Sequence, residues 1–270
     1  MSAVIISRKE DFAAIVSVTV LASSSAGNCA LVSAGDTRIL VDAGLSRKET
    51  FERMAAAGAD PESVTAILIS HEHTDHVAGL PVIAKKLDVP VYISRLAAPA
   101  IPWGDYIPKL ELFQAGTRFP IGCIDVNSFT IPHDSVDPVG FSFHADGIKI
   151  SIATDLGYLP DSVRFQLRNS DVLLLESNHD LEMLKVGPYP WSVKQRVMGR
   201  MGHLSNDVAC NFVRDEVDAR TSTLILGHLS EHNNHPEIVR LMATQALKGP
   251  SLFTRLVIAE AHRPTEAFVY

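Results

Sequence analysis

Two stretches of the chain follow one plan, and that duplication restricts the fold more than any other feature. The first reads SAGDTRILVDAGL, then SVTAILISHEH. The second reads HADGIKISIATDLG, then NSDVLLLESNHD. Each has a tight turn, a strand ending in an acid before Gly, a helical stretch, and an apolar strand ending in Ser or Ser-Asn before His. The pattern predicts two pseudo-repeated βα halves whose sheets pack face to face with helices outside. Strand signals in the first half are VSVTVL (17–22), CALVSA (29–34), TRILV (37–41) and VTAILIS (64–70). In the second they are CIDVNSFTI (123–131), GFSFHA (140–145), IKISIAT (148–154), VLLLE (172–176) and TLILG (223–227). These β-branched runs are bounded by turn residues. Helices fit near 47–58 and at 190–200, 206–217 and 236–247. With 46% hydrophobic and 20% charged residues, the expectation is one domain over 1–270, its core about 17–262.

The chemistry-bearing segment is ILISHEHTDHVAGL. His71 and His73 would face apart on a helix, but share a side in an extended loop and can bind one metal there. The helical HExxH zinc spacing is absent. Asp75 and His76 open the next helix and can turn toward a second metal. Three further residues follow strands: His133 in FTIPHDSVDPVGF, Asp155 in ISIATDLG and His228 in LILGHLSEHNN. Alone, each is equally a polar loop residue. With the 71–76 cluster they make two sets of N/O ligands with room for water.

The order HxHxDH, then a lone His, a lone Asp and a lone His, resembles the metallo-β-lactamase superfamily. The resemblance implies an α/β (α+β) fold, a four-layer αββα sandwich. It implies that His71, His73 and His133 bind one metal, that Asp75, His76 and His228 bind a second, and that Asp155 bridges them. Asp42 in VDAGL matches the motif whose acid orients the site by hydrogen bonds. VTVLASSSAGNCALV, LLLESNHD, GPYPWSVKQRV, GHLSN and GHLSEHNN resemble the YycJ/WalJ-type branch, described as DNA exonucleases linked to DNA repair. ASSSAGN departs from that branch, where Gly often stands among the serines. The antibiotic-inactivating members use Cys where this chain has Asp155. The hydroxyacylglutathione hydrolases add a helical domain, for which the forty or so residues after His228 leave little room.

A more distant resemblance to RNase Z implies that Glu176 and His203 form a proton-donating pair. The long arm with which RNase Z holds tRNA has no counterpart. The implied function is a dinuclear-metal hydrolase of phosphodiesters, acting on DNA as an exonuclease. A hydroxide held between two cations about 3.5–4 Å apart would attack phosphorus in line. Asp75 would orient it or take its proton, and His203, held by Glu176, would protonate the leaving oxygen. The alternative is a small-molecule hydrolase of the same fold, acting on a cyclic nucleotide, thioester or lactone. Zinc is the expected ion, and manganese or iron suits the same ligands.

The net charge of −7 excludes a protein that holds nucleic acid by its overall field; DNA would have to be gripped locally. Three scattered cysteines (Cys29, Cys123, Cys210) indicate neither disulfides nor a zinc site, and are expected as buried small hydrophobes. MSAVIISRKEDF is too charged for a signal peptide, and no run approaches a membrane span, so a cytoplasmic location is expected. Ser23, Ser24, Ser25, Gly27 and Asn28 either cradle a phosphate or simply turn the chain, with Ser25 and Asn28 the substrate-contact candidates. His179 either touches substrate or orients a loop. Tyr189 and Trp191 could stack a base, but core is the expectation. His144, His232, His235 and His262 are expected in packing or at the surface.

Overall fold

A computed structural model describes residues 14–248 and 251–270. The charged segment MSAVIISRKEDF, expected not to be a leader, lies outside the described residues. Turns lay out the first sheet. β1 (Val16–Ser24) reverses through Ser25 and Ala26 into β2 (Gly27–Ala34), and Gly35, at φ +52°, turns β2 into β3 (Thr37–Val41). α1 (Arg47–Ala56) begins at Ser46, whose hydroxyl accepts from the Glu49 N–H and so satisfies a free helix-end donor. β4 (Ala66–Leu68), α2 (Thr74–Val77), α3 (Leu80–Leu87), β5 (Val91–Ser94) and β6 (Leu110–Phe113) follow. β2 is antiparallel to β1 and β3, while β3 to β6 are parallel.

The second half repeats this. β7 (Arg118–Ile121), β8 (Ile124–Thr130), β9 (Val139–Ala145) and β10 (Ile148–Ala153) pair antiparallel. The chain then runs through α4 (Asp161–Leu167), β11 (Val172–Glu176), α5 (Leu181–Val186), α6 (Trp191–Met198) and α7 (Asn206–Glu216). β12 (Thr223–Gly227), α8 (Pro236–Ala246), β13 (Arg255–Ile258) and β14 (Phe268–Val269) complete it. β10 to β13 are parallel. The strand orders are β14-β1-β2-β3-β4-β5-β6 and β13-β12-β11-β10-β9-β8-β7.

The unbroken apolar strands are explained by burial on both faces. In β11, Val172 and Leu174 enter the core between the sheets, whereas Leu173 and Leu175 pack with the outer layer of Leu167, Phe212, Val213 and Val239. In β3, Ile39 and Val41 face the other sheet and Leu40 faces the layer holding Met54, Leu80 and Ile83. Four layers result, as the sequence predicts, each buried aliphatic contributing roughly 1.5–3 kcal/mol.

Three expectations need correction. The strand expected over 64–70 is only Ala66–Leu68, because Ser70 leaves the sheet to donate its N–H to Asp42 Oδ1 at 2.8 Å. The core extends past the expected boundary of about 262, since β14 returns to pair with β1 and buries Phe268 between the sheets. Cys29 and Cys210 are buried, but Cys123 is exposed, because it sits in the β7–β8 turn. No helix among the described residues is long and apolar enough to cross a membrane.

Candidate metal centre

The site residues stand just past strand ends at one edge of the sandwich. Asp42 follows β3, His71 follows β4, His133 follows β8, Asp155 follows β10 and His228 follows β12. Asp42, Asp155 and His228 have φ of 59°, 62° and 56°. This left-handed backbone disfavours side-chain-bearing residues by about 1–2 kcal/mol, and Gly would adopt it freely. Asp88, Asp146 and Asn169 adopt the same backbone in turns away from the site, so the conformation sets where the side chains of Asp42, Asp155 and His228 point and does not by itself mark the site. Close approach matters too: a Cβ at Gly44 would stand 1.7 Å from the Asp75 carbonyl oxygen, so only Gly lets the loop after Asp42 lie against the Asp75 turn.

Three groups of ligand-type atoms converge: His71 with His73 and His133; Asp75 with His76, Asp155 and His228; and Asp155 with Glu176, His203 and His228. Within each group the atoms lie within 4.8 Å of one another. His71, His76, His133, Asp155 and His228 are buried, while Asp75 and His73 are partly open. Asp155 lies between the groups: one carboxylate oxygen is 3.1 Å from His76 Nε2, the other 3.5 Å from His228 Nε2 and 3.9 Å from His133 Nε2. Asp75 Oδ2 is 3.5 Å from both His76 Nε2 and His228 Nε2.

The imidazoles are oriented from behind. The Nδ1–H groups of His71, His76 and His133 donate to Ser70 Oγ (3.0 Å), Asp42 Oδ2 (2.9 Å) and the Gly202 carbonyl (3.2 Å). That leaves Nε2 facing inward, the arrangement by which outer partners fix a metal-binding tautomer. His73 does the reverse, presenting Nδ1 at 3.2 Å from His133 Nε2. Two ligands of one tetrahedral ion, each about 2.0–2.1 Å from it, stand about that far apart. His71 Nε2 is buried with no hydrogen-bond partner. Such an orphaned nitrogen among convergent N and O donors fits a divalent cation.

Glu176, fully buried, serves two histidines at once. Its Oε1 accepts from His228 Nδ1 (2.6 Å) and His203 Nδ1 (2.8 Å), and its Oε2 from the N–H groups of Leu156 and Leu204. Burial alone would raise its pKa, but His203 and then His228, by charge and hydrogen bonding, bring it down to about 2. His203, 21% exposed, has its pKa raised by Glu176 against the opposing effect of burial.

Burial lowers the pKa of His71 well below the usual value, and that of His133 below it, so both imidazoles are neutral donors at neutral pH. His76 and His228 behave oppositely: burial works against charge, but Asp155, with Asp42 at His76 and Asp75 and Glu176 at His228, outweighs it. The His228 pKa is raised to about 10 and that of His76 well above the usual value. Asp155 and Asp75 are held ionised despite burial, each chiefly by His228 and His76.

A beta-lactamase superfamily domain matches residues 37–229, a span that begins just before Asp42 and ends just after His228. The chain belongs to the metallo-β-lactamase superfamily. Among curated members it is 38% identical over 234 residues to Exodeoxyribonuclease YycJ of Bacillus anthracis, covering 85% of this chain and 88% of that one. It is 36% identical over 239 residues to Exodeoxyribonuclease WalJ of Streptococcus pneumoniae, covering 87% and 89%. Among solved structures, the metallo-β-lactamase fold protein YhfI of Bacillus subtilis superposes with a TM-score of 0.72 at 19% identity, over 95% of this chain and 100% of that one. This superfamily member therefore stands in the YycJ/WalJ branch of a metallohydrolase family.

Of the other sequence candidates, Asn28 is buried, and its amide donates to Ser24 O (2.9 Å) and Asp75 Oδ2 (3.2 Å). It braces Asp75 and also lies 3.0 Å from His76 Nε2. Ser23 and Ser24 are buried as well, and Ser23 Oγ accepts the His228 N–H (2.8 Å), so the serine run acts largely as a turn; Ser25 alone of the three is exposed. His179 is buried with its pKa lowered to about 4 by desolvation, and its backbone bridges to Ser205. His232, His235 and His262 are exposed, and His144 is half-buried in β9. The core expectation for Trp191 is overturned: it is 62% exposed at the start of α6. Tyr189 packs edge-on against His232.

Ser70 was missed. It bridges Asp42, His71 and the His76 side of the site through one hydroxyl and one N–H. Its signal was its place between an apolar strand and the first His. Asn178, whose side chain donates to the His228 carbonyl (2.8 Å), was missed too, since nothing local in ESNHD marks it.

Proposed function

We propose that this protein is a dinuclear-metal exodeoxyribonuclease. The observation that carries the reading is 36–38% identity, over most of both chains, to proteins named exodeoxyribonucleases. The ligand geometry supports it. His71, His73 and His133 would hold one divalent cation; Asp75, His76 and His228 would hold a second; Asp155, between the groups, would reach both. His and carboxylate donors suit zinc, with manganese and iron compatible. When bound, such a pair supplies Lewis-acid stabilisation of phosphoryl charge and a nucleophile at neutral pH.

The chain's own groups do the rest. Asp42 and Ser70 fix His76 and His71 in register. Asp75, braced by Asn28 and partly open, is placed to orient the attacking water or take its proton. His203 keeps Nδ1–H on Glu176, which leaves Nε2 to carry a proton toward the leaving oxygen. Glu176 stabilises that charged imidazole while orienting His228. Ser25, Asn28 and His179 are the candidate substrate contacts. The whole chain is proposed to work as one domain, because the core between the sheets is shared and β14 returns to the first sheet.

The test is digestion of 5′- and 3′-labelled linear DNA by metal-loaded protein, with Asp155→Ala as control. Progressive release of labelled mononucleotide from one end, absent in the control, is expected and gives the polarity. Hydrolysis of a simple phosphodiester without DNA cleavage would move the substrate to a small molecule.

A further inference from the structure

From Lys185 to His203 the chain carries four cations (Lys185, Lys194, Arg196, Arg200) and no carboxylate, in a protein of net charge −7. Their environments differ. Lys194 is buried and donates to the Lys185 carbonyl, tying α6 to α5. Lys185 pairs with Glu182, and Arg196 with Asp134 beside His133. Arg200 is exposed and forms no ion pair among the described residues. Its guanidinium lies over the Tyr158 ring, 4.2 Å from the centroid.

That stack joins two site loops. Tyr158 is three residues past Asp155, and Arg200 three before His203. Gly157 makes the approach possible: a Cβ there would stand 2.4 Å from the Arg200 backbone. The Gly157 N–H also donates to the Pro132 carbonyl (2.9 Å), so Arg200 is fixed relative to the His133 loop.

α6 itself buries one residue, Lys194. Trp191, 62% exposed, opens the helix, and Met201 is exposed just beyond it. The His203 N–H donates to the Val197 carbonyl (2.9 Å), so the far end of α6 abuts the site. Trp191 is six residues, about 9 Å, back along the axis. An indole left in water on a nearly bare helix, beside an unpaired guanidinium at the lip of the site, has the composition of a strand-binding surface.

We propose, building on the nuclease reading, that α6 and the loop after it form the bed for a single-stranded DNA end. Arg200, held flat by Tyr158, binds a backbone phosphate at the lip of the site. A planar guanidinium stacked on a ring keeps its donor fork aimed at phosphate oxygens. Trp191 stacks on an unpaired base further back, a face that a duplex would not offer.

The experiment measures binding of a fluorescein-labelled phosphorothioate oligothymidylate of about 15 nucleotides to the metal-loaded full chain across a salt series, beside digestion of labelled DNA. Arg200→Ala is expected to weaken binding roughly tenfold and to flatten the log K against log salt slope by about 0.7, the loss of one single-strand phosphate contact. Arg200→Lys keeps the slope. Trp191→Ala is expected to weaken binding by roughly 5- to 100-fold with the slope unaltered, and Trp191→Phe restores most of it. Thermal midpoints of the variants identify any that fail to fold. A wild-type protein that digests DNA, with both alanine variants binding within about twofold of it, overturns this surface and leaves the nuclease reading standing. A wild-type protein that neither binds nor digests the strand overturns both.

Discussion

The two halves of the sandwich place an acid at the same point and use it differently. After β3, Asp42 enters the left-handed region at φ 59°, turns back and receives Ser70 and His76 Nδ1. After β10, Asp155 takes nearly the same backbone, φ 62°, and lies among the Nε2 atoms of His76, His133 and His228. The next strands diverge too. β4 leads into His71, His73, Asp75 and His76 within six residues, whereas β11 ends in Glu176, which orients His203 and His228 from behind. One repeated βα plan thus serves once as a compact segment of candidate ligands and once as scattered candidate ligands with their supports. The backbone position is what the halves share, and the direction of the side chain decides its task.

The largest expected effect separates the two equivalent acids. Asp155→Ala should lose both metals and lower DNA digestion by roughly 10⁴-fold or more, since water without cations keeps a pKa near 15.7. Asp42→Ala removes the partner of both His76 and Ser70 but no candidate ligand, so metal affinity should fall roughly 10- to 100-fold and activity should return with added metal. Metal content by atomic emission and digestion at saturating metal check both. An Asp42→Ala protein as inert as Asp155→Ala at saturating metal would break the comparison.

Next is the support system of the second half. His203→Ala should keep both metals and lose roughly 10²–10³ in rate, because it removes a proton donor and no ligand. Loss of metal in that variant would argue against the acid role. Glu176→Gln acts on His203 and His228 together, and a smaller effect, roughly 10- to 100-fold, is expected on metal affinity at the His228 group, with the His71 group retained.

These contrasts also show what the sequence could disclose. The first half's candidate ligands are adjacent in the chain, so HEHTDH announces itself, and two-sided burial of β11 and β12 is written in their apolar runs VLLL and LIL. His133, Asp155 and His228 become legible only as a set, since each alone is an ordinary post-strand polar residue. Asn178 was not legible and Ser70 only by its place before the first His, because their roles arise from which carbonyl or carboxylate the fold brings within 3 Å. Trp191 is exposed, against the general tendency of aromatics to be core, because α6 buries only Lys194. Asn28 shows the same limit: the sequence places it near the site, but only the fold brings its amide to Ser24 O, His76 Nε2 and Asp75 Oδ2.

The smallest expected effect is on pH, and it tests whether the halves differ electrostatically. In the metal-free protein His71 and His133 have pKa values lowered by burial, so a cation meets neutral imidazoles there. His228 is raised to about 10, and His76 well above the usual value, by the carboxylates that overcome their burial, so a cation entering that group must expel protons. The protonated fraction falls as pH rises. Affinity at the His76–His228 group should therefore climb with pH across the neutral range, by roughly tenfold per unit for each proton displaced. Affinity at the His71–His133 group should stay nearly flat once pH exceeds about 6.5. Zinc titrations of the metal-free protein in two buffers of different ionisation enthalpy count the protons released by each equivalent. Equal release from both equivalents, with equal pH slopes, would mean that Asp155 screens the two groups alike. The asymmetry between the halves would then be one of geometry alone.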